Sequence, residues 1–168
     1  MNKDRNKEKH KKSITLRDVM DTDIDIFFNQ QLDEEANFMA AFTAENPADE
    51  FAFKDHIKKV QLDQNVCMKT IVFGGRVAGH IASFERLNLP EVSYWLGKEF
   101  WGKGIATTAL EEFLGQISIR PMYARVATDN RASIRVLEKC GFKIYETNKD
   151  YANARGKEVE EYVMKLEK

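Results

Sequence analysis

Gly102, Lys103 and Gly104 stand where an apolar strand ending at Gly97 must turn into a helix, and that placement defines a chemistry. Glycines at such a corner let backbone N–H groups approach a ligand with no Cβ in the way. The free N–H groups of the first helical turn, at the positive end of the helix dipole, then attract an anion. Lys103 adds a cation beside them. The helix that follows carries Ile105, Ala106, Ala109, Leu110, Phe113 and Leu114 on one apolar face. The corner reads as a phosphate cradle.

Several phosphate ligands compete for it. A nucleoside triphosphate loop places its lysine after the last glycine, followed by Ser or Thr. Here Lys103 lies between the glycines, so triphosphate hydrolysis is disfavoured. A dinucleotide fingerprint wants a third glycine where Thr107 stands, although Asp129 lies at roughly the distance of its ribose-binding acid. What separates these readings is the order of elements around the corner.

Ser13–Val19 alternates as a strand, and Asp21 or Thr22 caps a helix bearing Ile24, Phe27, Phe28 and Leu32. A second helical piece holds Ala36, Met39 and Ala40, with Phe42 as its far limit. Asn46-Pro47 signals the start of a third, running past Ile57 and Val60. The period then changes. Val66–Phe73 and Arg76–Phe84 pair about a Gly74-Gly75 hairpin turn, and Pro90 breaks the chain before a strand at Glu91–Leu96. Beyond the corner and its helix, Met122–Thr128 is a further strand, joined to the previous one by a right-handed parallel crossover. Asp129-Asn130 opens a helix that Gly141 stops. Phe142–Glu146 and Val159–Leu166 close the chain across a polar loop at Asn148–Gly156.

These elements give an α/β fold: a mixed, mostly antiparallel sheet of about seven strands, one central parallel βαβ crossover, and helices on both faces. A single crossover placed mid-chain after a hairpin cannot build a doubly wound sheet, which disfavours the dinucleotide reading. With 168 residues, 43% apolar and 32% charged, the chain suits one domain at residues 13–168. Residues 1–12 carry six Lys or Arg and no apolar residue after Met1, and read as a solvated, disordered basic arm. Contact with a polyanion such as ribosomal RNA is the functional alternative for that arm. A formal charge of −1 gives no general pull toward nucleic acid or membrane. Cys67 and Cys140 lack metal-ligand spacing, as do His10, His56 and His80, so no metal is expected. Reduced cysteines and the lack of a long apolar run point to the cytoplasm.

The segment Asn130–Phe142 couples a capped helix to a Gly-Phe strand start, one crossover after the glycine corner. The pair of motifs, with the element order, resembles the GCN5-related N-acetyltransferase (GNAT) family, and within it the ribosomal-protein N-terminal acetyltransferase branch. That resemblance implies acetyl-coenzyme A as cosubstrate, bound between two parallel strands that splay apart. It assigns the splaying strand to Glu91–Gly97, with Trp95 and Leu96 offering backbone groups to the pantetheine. The pyrophosphate is placed on N–H groups of Trp101, Gly102, Lys103, Gly104, Ile105 and Ala106. Where the family favours Arg or Gln this chain has Glu99, which shifts charge compensation to Lys103.

Acetyl transfer to an amine needs a neutral nucleophile, a donor for the oxyanion and a proton for the leaving thiolate. The family's helix tyrosine corresponds here to Leu137, so the resemblance passes the acid's role to Ser133. A hydroxyl that merely satisfies a backbone group in the first turn is the competing account of Ser133. Asn130 is a candidate for the pantetheine or a plain cap. Glu91 is the first candidate base and Glu85 the second, while a backbone N–H near Leu96 would serve the oxyanion. The helical insertion, rich in Asp21, Asp23, Asp25, Asp33, Glu34 and Glu35, is implied to wall the acceptor cleft. The implied activity is N-acetylation of a primary amine, foremost a protein or peptide N-terminal α-amine, by a monomer or homodimer. A small-amine acetyltransferase acting on a polyamine or aminoglycoside, and a non-catalytic acyl-coenzyme-A sensor, remain alternatives.

Overall fold

The computed structural model describes residues 13–168, so the basic arm lies outside the described residues. One sheet of seven strands organises them, in the order β1-β2-β3-β4-β5-β7-β6. β1 is Ile14–Asp18, β2 Cys67–Phe73, β3 Arg76–Arg86 and β4 Leu89–Leu96. β5 is Met122–Ala127, β6 Lys143–Ala152 and β7 Lys157–Leu166. Every neighbouring pair is antiparallel except β4 and β5. The helices are α1 (Asp21–Gln31), α2 (Glu34–Ala40), α3 (Glu50–Leu62), α4 (Ile105–Gln116) and α5 (Arg131–Lys139). This is the mixed sheet that the element order predicts. No helix among the described residues is long and apolar enough to cross a membrane.

Strand alternation sorts the residues onto two faces. Ile71, Ile81, Met122, Ala124 and Met164 meet the buried stripe Ile105, Leu110 and Phe113 of α4, with Leu137 of α5. Truncating a ring as buried as Phe113 costs on the order of 3–5 kcal/mol. The opposite face carries His80, whose ring meets Phe27 of α1 edge-on at 4.8 Å. Nearby, Asp23 is buried and accepts from the Arg17 guanidinium at 2.6 Å and 2.9 Å, Met20 N at 2.8 Å and Thr70 Oγ1 at 2.8 Å.

Four boundaries differ from the expectations, each for a local reason. Neither Asp21 nor Thr22 caps α1: both lie inside it, the N-cap is Met20, and Asp23 accepts from Met20 N at 2.8 Å. The third helix starts at Glu50 rather than behind Asn46, because Asp49 accepts from Ala52 N at 3.0 Å and so is the cap. Asn46 instead closes a turn onto Ala48 N at 3.1 Å. Pro90 does not break the chain. Leu87 and Asn88, at φ 51° and 63°, turn β3 directly into β4, and Pro90 lies opposite Glu85 inside the ladder. Alternation points the backbone of Pro90 away from β3, so its missing N–H costs that ladder nothing. β6 and β7 run on to a short turn at residues 153–156, replacing the long polar loop. β6 is the sheet's edge and exposed along most of its length, so it carries no apolar alternation to read.

Candidate active site

β4 and β5 touch in parallel register at one pair only, Glu91 with Tyr123. Past that point the two strands diverge, and the edge of β4 facing β5 has no ladder. Gly97 N donates to Ala78 O at 2.9 Å, which fixes which β4 residues turn toward β3. Antiparallel alternation then aims the backbone groups of Trp95 at β3, and those of Tyr94 and Leu96 at the opening gap. The expectation for Trp95 is therefore corrected by one residue: Tyr94 replaces it as the backbone offering beside Leu96. The carbonyl of Leu96 already accepts from the Trp101 indole at 3.1 Å, leaving its N–H on the gap side. The Trp95 side chain lies on the other face, with its indole N–H buried and without a hydrogen-bond partner.

The glycine corner closes one end of this gap. Gly102 and Gly104 adopt φ 73° and 76°, and a Cβ built on either would meet no atom within 4 Å. Gly104 is the N-cap of α4 in left-handed conformation, with no side-chain cap and no acidic residue in the first turn. Ile105 is buried and anchors that turn, and no side-chain cap takes up the first N–H groups of the helix. Uncapped N–H groups, a dipole end and two bare α-carbons fit a pyrophosphate. The Lys103 ammonium lies 6.0 Å over the Phe100 ring. Glu99 is neutralised by Arg76 at 2.8 Å, which removes the electrostatic objection to an acid at that position.

α5 begins just beyond the C-terminal end of β5, at the same open end of the gap as the glycine corner. Asn130 accepts from Ser133 N at 3.3 Å and donates to Met39 O at 3.3 Å, so its amide is engaged as a cap and a strut to α2. Ser133 Oγ lies 2.8 Å from the Tyr94 phenol oxygen, across from β4. The hydroxyl is thus paired with a side chain of the facing strand instead of folding back onto its own helix. Burial, partly offset by the bond with Ser133, pushes the Tyr94 phenol up to about 12. Nothing local marks Tyr94 within the Glu91–Leu96 strand, and only its fold-dependent partner on α5 singles it out. Leu137 is 2% exposed in the core, so no phenol reaches the gap from α5 at that position. Cys140 is tied by its Sγ to Thr107 O at 3.7 Å, and burial raises its thiol to about 11.

The carboxylates fall differently from expectation. Glu91 is 3% exposed and accepts from Arg125 Nε at 2.5 Å, while Glu161 takes Arg125 Nη1 at 3.0 Å. Burial would lower the Arg125 pKa, but the two carboxylates outweigh it and the net direction is upward. A general base needs a carboxylate free to accept a proton, and Arg125 claims that of Glu91. Glu85 is exposed, opposite Pro90 near the β3–β4 turn, on the far side of Glu91 from Leu96. Asp129 is bound in bidentate fashion by Arg155 at 2.7 Å and 3.0 Å, which commits the side chain that a ribose would need. Among the described residues, no group of three or more His, Cys, Asp or Glu could hold a metal ion.

A family profile described as Acetyltransferase (GNAT) domain matches residues 13–143. The chain belongs to the GNAT acetyltransferase family. A putative ribosomal N-acetyltransferase, YdaF of Bacillus subtilis (strain 168), is 28% identical to this GNAT chain over 112 residues, covering 60% of the chain and 61% of the relative. The matches span about half to three fifths of the length of such curated relatives, 45% and 61%. Spermidine N-acetyltransferase from Vibrio cholerae, solved with coenzyme A and spermine, superposes at a TM-score of 0.79 with 18% identity, covering 93% of this chain and 96% of that one. RimL, a ribosomal L7/L12 α-N-protein acetyltransferase solved with coenzyme A, gives 0.72 at 21% identity, covering 90% and 93%. At such identities the likeness establishes the GNAT fold.

Proposed function

We propose that this GNAT chain is an acetyl-coenzyme-A-dependent N-acetyltransferase that transfers the acetyl group directly to a primary amine in a ternary complex. One observation carries the reading: a doubly left-handed glycine corner opens an uncapped helix at one end of a gap between diverging parallel strands. The N–H groups from Gly102 to Ala106 hold the pyrophosphate, that of Trp101 being already donated to Lys98 O at 3.1 Å, and Tyr94 and Leu96 hold the pantetheine. The coenzyme supplies an activated acetyl group on a good leaving thiol. The Leu96 N–H stabilises the developing oxyanion, and Ser133 protonates the departing sulfur.

With Glu91 committed to Arg125, the preferred acceptor is an amine that needs little help to lose its proton. An α-amine, with a pKa of about 8, keeps a substantial neutral fraction near neutral pH, whereas a lysine side chain at about 10.4 does not. A protein or peptide N-terminus is therefore the leading acceptor class, encountered in the cytoplasm. The likeness to a spermidine acetyltransferase supports a polyamine as the second reading. The core placement of Leu137 keeps a non-catalytic sensor in view.

Thiol release from acetyl-coenzyme A, followed with N-terminal peptides and with polyamines, tests all three. Peptides are expected to release thiol at least tenfold faster than polyamines at pH 7. The opposite ranking reassigns the acceptor, and no release with any amine, in a protein that coenzyme A stabilises, leaves the sensor.

A further inference from the structure

We propose that Tyr94 is a positioning residue for the transfer step: it donates a hydrogen bond to Ser133 and so aims the serine's own proton at the leaving sulfur. This rests on the reading of Ser133 as the proton donor and goes beyond it. The two oxygens lie 2.8 Å apart, one from β4 and one from the first turn of α5. Either can donate by geometry alone, so acidity decides. A phenol is a far stronger acid than an alcohol and is the natural donor of the pair.

The consequence for Ser133 is directional. Its backbone N–H is taken by Asn130, and its Oγ accepts from Tyr94, so its hydroxyl proton is left over. A serine in a first turn otherwise rotates freely or bonds back to a carbonyl one turn earlier. Held from the β4 side, Ser133 keeps that proton on the gap side of the helix. Tyr94 is suited to a fixed donor's part because burial keeps its phenol protonated throughout the range in which such an enzyme works. The phenol absent at Leu137 on α5 is in effect supplied from the facing strand, one step removed from sulfur.

The step balances without a further base. As the amine nitrogen bonds to the acetyl carbon, that nitrogen becomes cationic and the carbon–sulfur bond breaks. Ser133 gives its hydroxyl proton to the leaving sulfur and regains one from the nitrogen. The products are the amide and the free thiol, and Tyr94 keeps its proton throughout.

Three variants decide it: Tyr94→Phe, Ser133→Ala and the two combined, each measured for kcat and for the KM of acetyl-coenzyme A. Ser133→Ala is expected to lower kcat about 100-fold. Tyr94→Phe, which deletes one oxygen and keeps the ring, is expected to lower kcat about tenfold with acetyl-coenzyme A KM within about twofold. The double variant is expected to match Ser133→Ala alone, because an orienting group has nothing left to orient. A wild-type kcat in Tyr94→Phe beside a slow Ser133→Ala overturns the inference alone. So does a further tenfold loss in the double variant. An unchanged rate in Ser133→Ala removes the Ser133 reading and this inference with it. Coenzyme A raising the melting temperature of Tyr94→Phe as it does that of the parent confirms an intact cradle.

Discussion

Glu91 and Tyr123 form the single contact in parallel register between β4 and β5, and one turn of alternation further along β5 Arg125 grips the same Glu91. The guanidinium also holds Glu161 on β7, so three strands are clamped at the vertex from which the gap opens. Removing Arg125 strands two buried carboxylates. Arg125→Met is expected to cost about 3–5 kcal/mol in urea denaturation. Replacing Arg125, Glu91 and Glu161 together by Met is expected to cost less than that single change, since no charge is left unpaired. A triple variant weaker than the single one would show that the clamp contributes more than the relief of its own desolvation.

Gly104→Val tests the cradle. A β-branched residue at φ 76° is strained by about 1–2 kcal/mol, and its side chain projects into the space where a pyrophosphate is proposed to lie. The variant is expected to fold with a lowered melting temperature. Saturating coenzyme A at about 100 Kd stabilises a binding-competent protein by about 2.7 kcal/mol and is expected to do nothing here. A retained coenzyme A shift in Gly104→Val would move the proposed site elsewhere.

His80 provides a pH signature. Burial, with a smaller push from His56, lowers its pKa from 6.5 to about 4, so the folded protein holds it neutral. The unfolded chain binds a proton more readily. Stability is therefore full above pH 6.5 and falls as pH drops toward 4, by about 3 kcal/mol across that window. In His80→Gln that slope should flatten while other titrations persist. Parallel stability–pH curves for the two proteins between pH 4 and 6.5 would contradict the assignment.

Arg155 stitches the β6–β7 turn to the helical insertion. Its guanidinium donates to Phe38 O at 2.7 Å, stacks 4.0 Å from the Phe38 ring and binds Asp129. If α2 walls the acceptor side, Arg155→Ala loosens that wall and leaves the glycine corner alone. The acceptor KM is expected to rise about tenfold, with acetyl-coenzyme A KM unchanged. Equal rises in both would mean that the turn supports the whole gap.

Element order and the left-handed glycine corner were legible in the sequence because they rest on local signals. Gly102 and Gly104 need left-handed backbone, Asn130 caps in place, and Gly141 at φ 94° ends α5. What escaped was long-range. Glu91 reads as a free carboxylate until Arg125, 34 residues later, is folded beside it. Tyr94 and Ser133 stand 39 residues apart, and only tertiary structure joins their oxygens. The Trp95 expectation failed by one residue because strand parity depends on a register with β3 that local pattern does not set. β6 was read too short because an exposed edge strand has no buried face to mark it.

The position of β7 has a consequence for how the chain assembles. The last strand lies between β5 and β6, so β5 lacks its second neighbour until Lys157–Leu166 are available. On a ribosome, the vertex clamp stays incomplete until Glu161 emerges, and β6 waits with no partner at all. The gap between β4 and β5 is thus set late, by residues that touch neither proposed ligand. Shortening the chain by that one strand would abolish the fold rather than trim it, and nascent chains that stall before it would expose the open edge of β5 to neighbours.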